Sequence, residues 1–261
     1  MKVSAIEKLN KIKSALIDAV YPSTLKCVFC EDELGKNPHN FTCKPCFKNL
    51  PFIAECCSKC GMVMLEEFNG ICPDCRNNNY CFDRAISVFI YKDEIVRTIH
   101  NLKYNGDKPL AEKLATYLIE AYATTEFNAD IITAVPMHPN KLKVRGYNQA
   151  ELLAQAVAEK FNIPYLPLCR KVVDNPTQTA LSYMERKTNI KGVFAFNAEY
   201  KQDVKNKIVL IIDDIFTTGA TSNELTSIIK KAGANKVYVL TLGRSVGELL
   251  NKPLFPLFNA I

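Results

Sequence analysis

Four C-x-x-C pairs stand in series near the start of the chain: Cys27/Cys30, Cys43/Cys46, Cys57/Cys60 and Cys72/Cys75. The gaps between successive pairs are 12, 10 and 11 residues. Two thiolates three positions apart can grip one metal ion from a single tight turn, and a second such turn completes a tetrahedral four-cysteine site. Gly61, directly after Cys60, suits a knuckle of this kind, because glycine lets backbone N–H groups turn towards the sulfurs. Eight ligands predict two zinc sites. The simplest pairing is sequential, Cys27/Cys30/Cys43/Cys46 and Cys57/Cys60/Cys72/Cys75, as two zinc ribbons; a crossed pairing satisfies the same spacing. Four-cysteine sites leave no open coordination position, so both are expected to be structural. Cys56 competes with Cys57 as a ligand, but the C-x-x-C-G pattern favours Cys57. Cys81 and Cys169 read as plain buried thiols.

Disulfides and an iron–sulfur cluster are the competing readings of these pairs. The opening MKVSAIEKLNKIKSALIDAV has no continuous apolar core of a secretory signal, so the thiols are expected to stay reduced and to hold metal. That segment carries Val3, Ile6, Leu9, Ile12, Leu16 and Val20 at three- and four-residue spacing and ends at Pro22. It predicts an amphipathic helix over residues 1–22, packed on its own protein or lying on an anionic membrane or a partner.

Ten of the 11 cysteines fall between Cys27 and Cys81, which divides the chain at about residue 82. Three segments are expected: the N-terminal helix (1–22), a double zinc ribbon (23–82) and an α/β domain (83–261). With 261 residues, 48% hydrophobic and 10% aromatic, the chain can bury a proper core, which excludes disorder. No stretch free of Asp, Glu, Lys and Arg exceeds ten residues, so no integral membrane segment is expected. The net charge of +6 permits a polyanionic partner without requiring one.

After residue 82 the pattern predicts strands at Arg84–Tyr91, Ile131–Pro136, Lys207–Asp213 and Lys236–Leu242, with short strands near Tyr165–Leu168 and Val193–Phe196. Helices are expected at Glu94–Tyr104, Pro109–Tyr122, Asn148–Phe161 and Thr221–Lys231. Apolar runs such as IVLII and VYVL, alternating with helices, indicate a parallel sheet buried on both faces.

The segment Lys207–Thr221, KIVLIIDDIFTTGAT, concentrates the chemistry. A strand built on Ile208–Ile212 ends in two carboxylates, Asp213 and Asp214, and ligands bind at the carboxyl ends of strands in such sheets. Thr217, Thr218, Gly219, Ala220 and Thr221 then offer backbone N–H groups and hydroxyls at a helix N-terminus, which is an anion site. Adjacent acids suit the vicinal hydroxyls of a ribose. Together they describe a site for a ribose 5-phosphate; a pair of acids alone would read only as a solvated strand end. Lys141, Lys143 and Arg145 follow another predicted strand and should approach the same crevice, where charge-assisted contacts to pyrophosphate are a natural use. The plainer reading is a solvated basic loop. His100 and His138 are candidates for acid–base work, although a lone histidine is more often structural.

The segment Asp213–Thr221, including Ile215 and Phe216, closely resembles the motif of type I phosphoribosyltransferases that binds phosphoribosyl pyrophosphate (PRPP). The resemblance implies magnesium-dependent PRPP binding, with Asp213 and Asp214 at the ribose and Thr217–Thr221 at the 5-phosphate. Ile131–Gln149, IITAVPMHPNKLKVRGYNQ, looks like a stretch of the ComF (ComFC) competence family, and the four C-x-x-C pairs resemble that family's double zinc ribbon. Arg170, Gln178, Arg186 and Asn189 also fall on its spacing. This resemblance implies a cytoplasmic accessory of DNA uptake in natural transformation with affinity for single-stranded DNA; the inner face of the membrane is the alternative location. Lys141, Lys143 and Arg145 are its candidate phosphate contacts, and Tyr104 and Tyr147 its candidate stacking rings, for which packing within the protein is the plainer reading. A DNA-uptake helicase or replication and recombination proteins are the implied protein partners. The alternatives are an active phosphoribosyltransferase in nucleotide metabolism or salvage, and a zinc half that serves only as a docking module.

Overall fold

The uninterrupted apolar run Ile208–Ile212 is a strand with no solvated face, and it forms the middle of the sheet. The structure is a computed structural model that describes residues 25–35, 38–64, 70–174 and 192–246. The expected N-terminal helix and the positions Gln178, Arg186 and Asn189 lie outside the described residues.

In chain order the elements are α1 (Lys44–Asn49), α2 (Pro73–Asn77), β1 (Arg84–Ile90), α3 (Asp93–Tyr104), α4 (Lys108–Ala123), β2 (Ile131–Ala134), α5 (Pro139–Arg145), α6 (Gln149–Phe161), β3 (Cys169–Lys171), β4 (Phe194–Phe196), β5 (Ile208–Phe216), α7 (Ala220–Ala232) and β6 (Lys236–Arg244). The chain divides into two compact units, Met1–Asn49 and Leu50–Ile261. The first contains the Cys27–Cys46 segment and α1, and its described part is held by turns, such as Cys27 N–H donating to Asp32 O at 2.8 Å.

The second unit is built on an all-parallel sheet with the order β1-β6-β5-β2. A strand alternates its side chains between faces. Val209 and Ile211 pack with Val237, Val239, Leu225 and Ile229 of α7, and the same cluster contains Cys57, Cys60, Cys72 and Phe82. The second cysteine cluster is thus part of the core of the sheet. Leu210 and Ile212 point the other way, where α6 packs on β5 and β2 and also against α4. Among the described residues no helix is long and apolar enough to cross a membrane.

The expected α/β architecture with its parallel sheet holds, and three local readings change. Residues 139–145 form a helix rather than a loop: His138 Nδ1 accepts from Asn140 N–H at 3.2 Å, Pro139 opens the first turn, and Gly146 closes it in the left-handed conformation (φ 81°). Tyr165–Leu168 contributes only one bridge, Tyr165 to Ile132, because Pro164 and Pro167 remove donors on both sides; the strand forms at Cys169–Lys171 instead. β5 runs on past Asp213 to Phe216 because β6 accompanies it, with Ile215 opposite Gly243 and Phe216 opposite Arg244.

Leu210 is fully buried in this central strand. Leu210→Ala should destabilise the protein by about 3 kcal/mol, read from the shift in the denaturant midpoint at constant slope.

Candidate functional site

β2 is four residues long and β5 is nine, and the difference opens a crevice. After Ala134 the chain gives one more sheet bond, Val135 N–H to Ile212 O at 3.0 Å, and then leaves into α5. Asn148 pins that departure by donating its side-chain amide to Val135 O at 3.0 Å. Beyond Ile212, β5 is therefore paired only on the β6 side, and the strand edge that borders the crevice is Asp213–Phe216.

The two carboxylates fall on opposite faces of the strand. Asp214 is buried, and Lys103 of α3 reaches it with Nζ 2.6 Å from Oδ2. The Gln149 side chain also hydrogen-bonds Asp214. In turn Gln149 Oε1 accepts from Arg145 Nη1 at 2.6 Å, and the Arg145 guanidinium lies 5.0 Å from the centre of the Tyr104 ring. Tyr147 closes this side by donating its hydroxyl to Leu102 O. Burial, the largest single effect, would raise the Asp214 pKa, but the Lys103 charge together with hydrogen bonds from Asp213, Lys103 and Gln149 holds the carboxyl below its ordinary value. Asp213 has no such cation in contact. Burial and the neighbouring Asp214 charge hold it well above the usual carboxylate range. The crevice therefore presents one carboxylate paired with a cation and one carboxyl that readily keeps a proton, two different partners for ligand hydroxyls.

The turn after β5 is shaped by a close approach. Gly219 has φ +77°, and a Cβ there would fall 2.6 Å from Cζ of Phe216 and 3.4 Å from Cε1 of Tyr80. Glycine is required both by the backbone and by the rings beneath it. The side chain of Phe216, 2% exposed, supports the turn from inside. Thr218 is buried and its Oγ1 accepts from Ala220 N–H at 3.3 Å, while Ile215, Thr217, Ala220 and Thr221 are half-buried. α7 starts at Ala220 with no acidic side chain in its first turn, which leaves the N-terminal N–H groups to attract an anion.

The basic residues do not act as one patch. Because 139–145 is a helix, Lys141 and Arg145 share a side and Lys143 does not. Arg145 joins the Asp214 network. Lys141 turns towards β3, where it and burial lower the Lys171 pKa, burial being the larger effect. Lys143 is exposed, as is Val144. A cavity of about 250 Å³ beside Pro136, Leu142, Tyr165 and Arg170 lies on this side. His138 is the cap of α5, and His100 is exposed with its ring 4.6 Å from that of Tyr104. Lys103 and Arg244 went unnoticed in the sequence. The signal for Lys103 was available: it lies four residues after Ile99, on the apolar side of α3 formed by Ile95, Thr98, Ile99 and Leu102.

The cysteine pairs combine sequentially. The sulfurs of Cys27, Cys30, Cys43 and Cys46 lie within 4.8 Å of one another, as do those of Cys57, Cys60, Cys72 and Cys75. Backbone N–H groups point at the sulfurs, Cys43 to Cys27 at 3.4 Å and Cys72 to Cys57 at 3.3 Å. Four thiolates this close cannot all ionise unaided. A hydrogen bond from Cys60 leads the forces that push Cys57 down to about 4, whereas burial pushes Cys75 up to about 12. A divalent cation resolves that conflict, so both clusters fit zinc. Cys56 stands outside the clusters, bridged to Val63. Cys169 is buried, and burial raises its thiol to about 12, whereas Cys81 is half-buried.

Comparison with known proteins finds two domain families at separate places along the chain. The double zinc ribbon domain family matches residues 16–76, and the phosphoribosyl transferase domain family matches residues 148–250. Competence protein F of Haemophilus influenzae is 28% identical over 228 residues, covering 84% of this chain and 97% of the relative. DNA utilization protein YhgH of Salmonella typhimurium, 26% identical over 226 residues, covers 84% of the chain and 97% of its own length. The two matched domains and these named relatives together support membership of the ComF family. Among solved structures, a purine phosphoribosyltransferase from Pyrococcus horikoshii aligns over 51% of this chain and 82% of its own at 17% identity, with a TM-score of 0.32, too low to bear on function. Along this chain a zinc ribbon segment thus precedes a phosphoribosyltransferase-like one.

Lys103→Met would leave Asp214 buried without its cation and should cost about 3 kcal/mol at neutral pH. The sign follows from the depressed Asp214 pKa, whose stabilising contribution is present above the unfolded value and fades on acidification. In the variant, burial raises that pKa instead. The gap between variant and wild type should therefore shrink as pH falls in paired urea titrations; a constant gap would contradict the pairing.

Proposed function

We propose that this protein binds PRPP with magnesium at the carboxyl end of β5 and single-stranded DNA at the mouth of the same crevice, as an accessory of DNA uptake and use. The observation that carries the reading is the junction of Asp213 and Asp214 with a glycine-tightened turn that opens a 13-residue helix. Thr217–Thr221 suit the 5-phosphate, because a helix N-terminus supplies N–H donors and a favourable dipole. Asp213 suits the ribose hydroxyls, being the acid left without a cation. Arg145 and Lys141 are assigned to the pyrophosphate, whose remaining charge a bound Mg²⁺ would neutralise. Lys143, exposed beside Val144, is assigned to the DNA backbone. The DNA part of the reading draws support from relatives whose names carry competence and DNA utilization.

Calorimetric titration with PRPP and magnesium tests the pocket. Asp213→Asn resembles the protonated carboxyl, so it should leave the fold intact and weaken binding about tenfold or more. No heat from the wild-type protein would overturn the PRPP reading.

Filter binding of a single-stranded oligonucleotide, titrated against salt, tests the DNA reading. Lys143→Ala should reduce the slope of log affinity on log salt by about 0.7, the loss of one phosphate contact. A flat salt response in the wild-type protein would remove DNA from the reading.

A further inference from the structure

The second cysteine cluster and the turn that follows β5 share their supports. Arg244, the last residue of β6, is 2% exposed, and its guanidinium forks between them. Nη1 donates to Thr217 O at 3.1 Å and Nη2 to Cys60 Sγ at 3.5 Å, while the guanidinium lies 4.2 Å over the Phe216 ring. A buried guanidinium requires partners of opposite charge, and a four-thiolate centre around one Zn²⁺ carries a net charge of about −2. A second link is independent of the first. The Tyr80 hydroxyl lies between two acceptors that share its one proton, Asp74 Oδ2 and Thr218 O, the latter at 3.1 Å, and its ring packs under Gly219. Asp74 lies between Cys72 and Cys75 on α2. The carbonyls of two successive turn residues, Thr217 and Thr218, are thus held from the metal cluster, which leaves the turn's N–H groups facing the opposite way.

We propose that the second four-cysteine centre is the positioning element of the anion-binding turn, with Arg244 and Tyr80 as positioning residues that transmit its geometry. Zinc holds Cys60, Cys72 and Cys75 in one arrangement, and that arrangement aims the turn. Loss of this zinc frees Cys60 and α2, and both carbonyl anchors loosen with them. The ligand side of the inference rests on the phosphoribosyl reading above; the mechanical coupling does not. Because coupling between two sites is reciprocal, an anion seated on the turn must also retain the zinc.

Two measurements on the full-length zinc-loaded protein test this. In hydrogen exchange, Arg244→Lys, which keeps the charge but loses the fork, should speed exchange of the amides of residues 217–222 about tenfold while the Leu210–Ile212 amides stay protected. Tyr80→Phe, the loss of one hydroxyl, should act in the same direction and serves alone if Arg244→Lys does not fold. Unchanged exchange in the turn, or an equal rise throughout β5, would overturn the proposal. In the second measurement zinc transfer to a chelator is followed with and without ribose 5-phosphate, with ribose as control. Ribose 5-phosphate should slow release of one of the two ions several-fold in the wild type and not in Arg244→Lys. Calorimetric binding of ribose 5-phosphate with unchanged zinc release would refute the coupling. Absence of binding would instead count against the phosphoribosyl reading, and the exchange experiment would then decide the coupling by itself.

Discussion

β5 is hydrogen-bonded on both edges, to β2 through Ile131–Ala134 and to β6 along its whole length, so its register is fixed and its exit point with it. A slip of one residue would exchange the faces of Asp213 and Asp214 and bring the wrong carboxyl to Lys103. It would also draw Phe216 from beneath Gly219, where the turn depends on it. The crevice, the placement of the two acids and the direction of α7 all follow from this one strand being longer than its neighbour on the β2 side.

The crevice then faces an electrostatic problem, two adjacent acids with one of them buried. Lys103 solves it for Asp214, and Gln149 with Arg145 extends the solution outward to the mouth. The cost is carried by Asp213, whose carboxyl keeps its proton more readily than an ordinary aspartate. On the opposite face of the sheet, Cys57, Cys60 and Cys72 pack with Val209 and Ile211, so a metal centre occupies the place of an ordinary hydrophobic cluster. Through Arg244 and Tyr80 this second cluster reaches the carbonyls of Thr217 and Thr218 in the turn after β5.

Much of this was legible in the chain. The apolar run before Asp213 announces a central parallel strand, because only a strand covered on both faces tolerates five such residues in succession. The four C-x-x-C pairs announce two four-cysteine sites by spacing alone. The conformation of 139–145 was not legible: Lys141, Lys143 and Arg145 read as a loop, and only His138 and Gly146 at its two ends make it a helix. Nor was the split in their roles, since three cations in five residues look alike until the helix turns one of them away. Arg244 was hidden because an arginine at the end of a strand is normally solvated, and only the arrival of Cys60 and Thr217 from distant parts of the chain makes it buried.

By itself, then, the sequence determined the zinc ligands, the order of strands and helices, and the acid–turn–helix junction, since each depends on residues near one another in the chain. The tertiary structure decided which sulfurs come together, which acid receives a cation, and which turn lies against the second cysteine cluster. Those outcomes depend on contacts such as Lys103 to Asp214 and Arg244 to Cys60, between residues more than a hundred positions apart. No local pattern encodes such pairs, because burial and the surrounding charge exist only once the sheet has assembled.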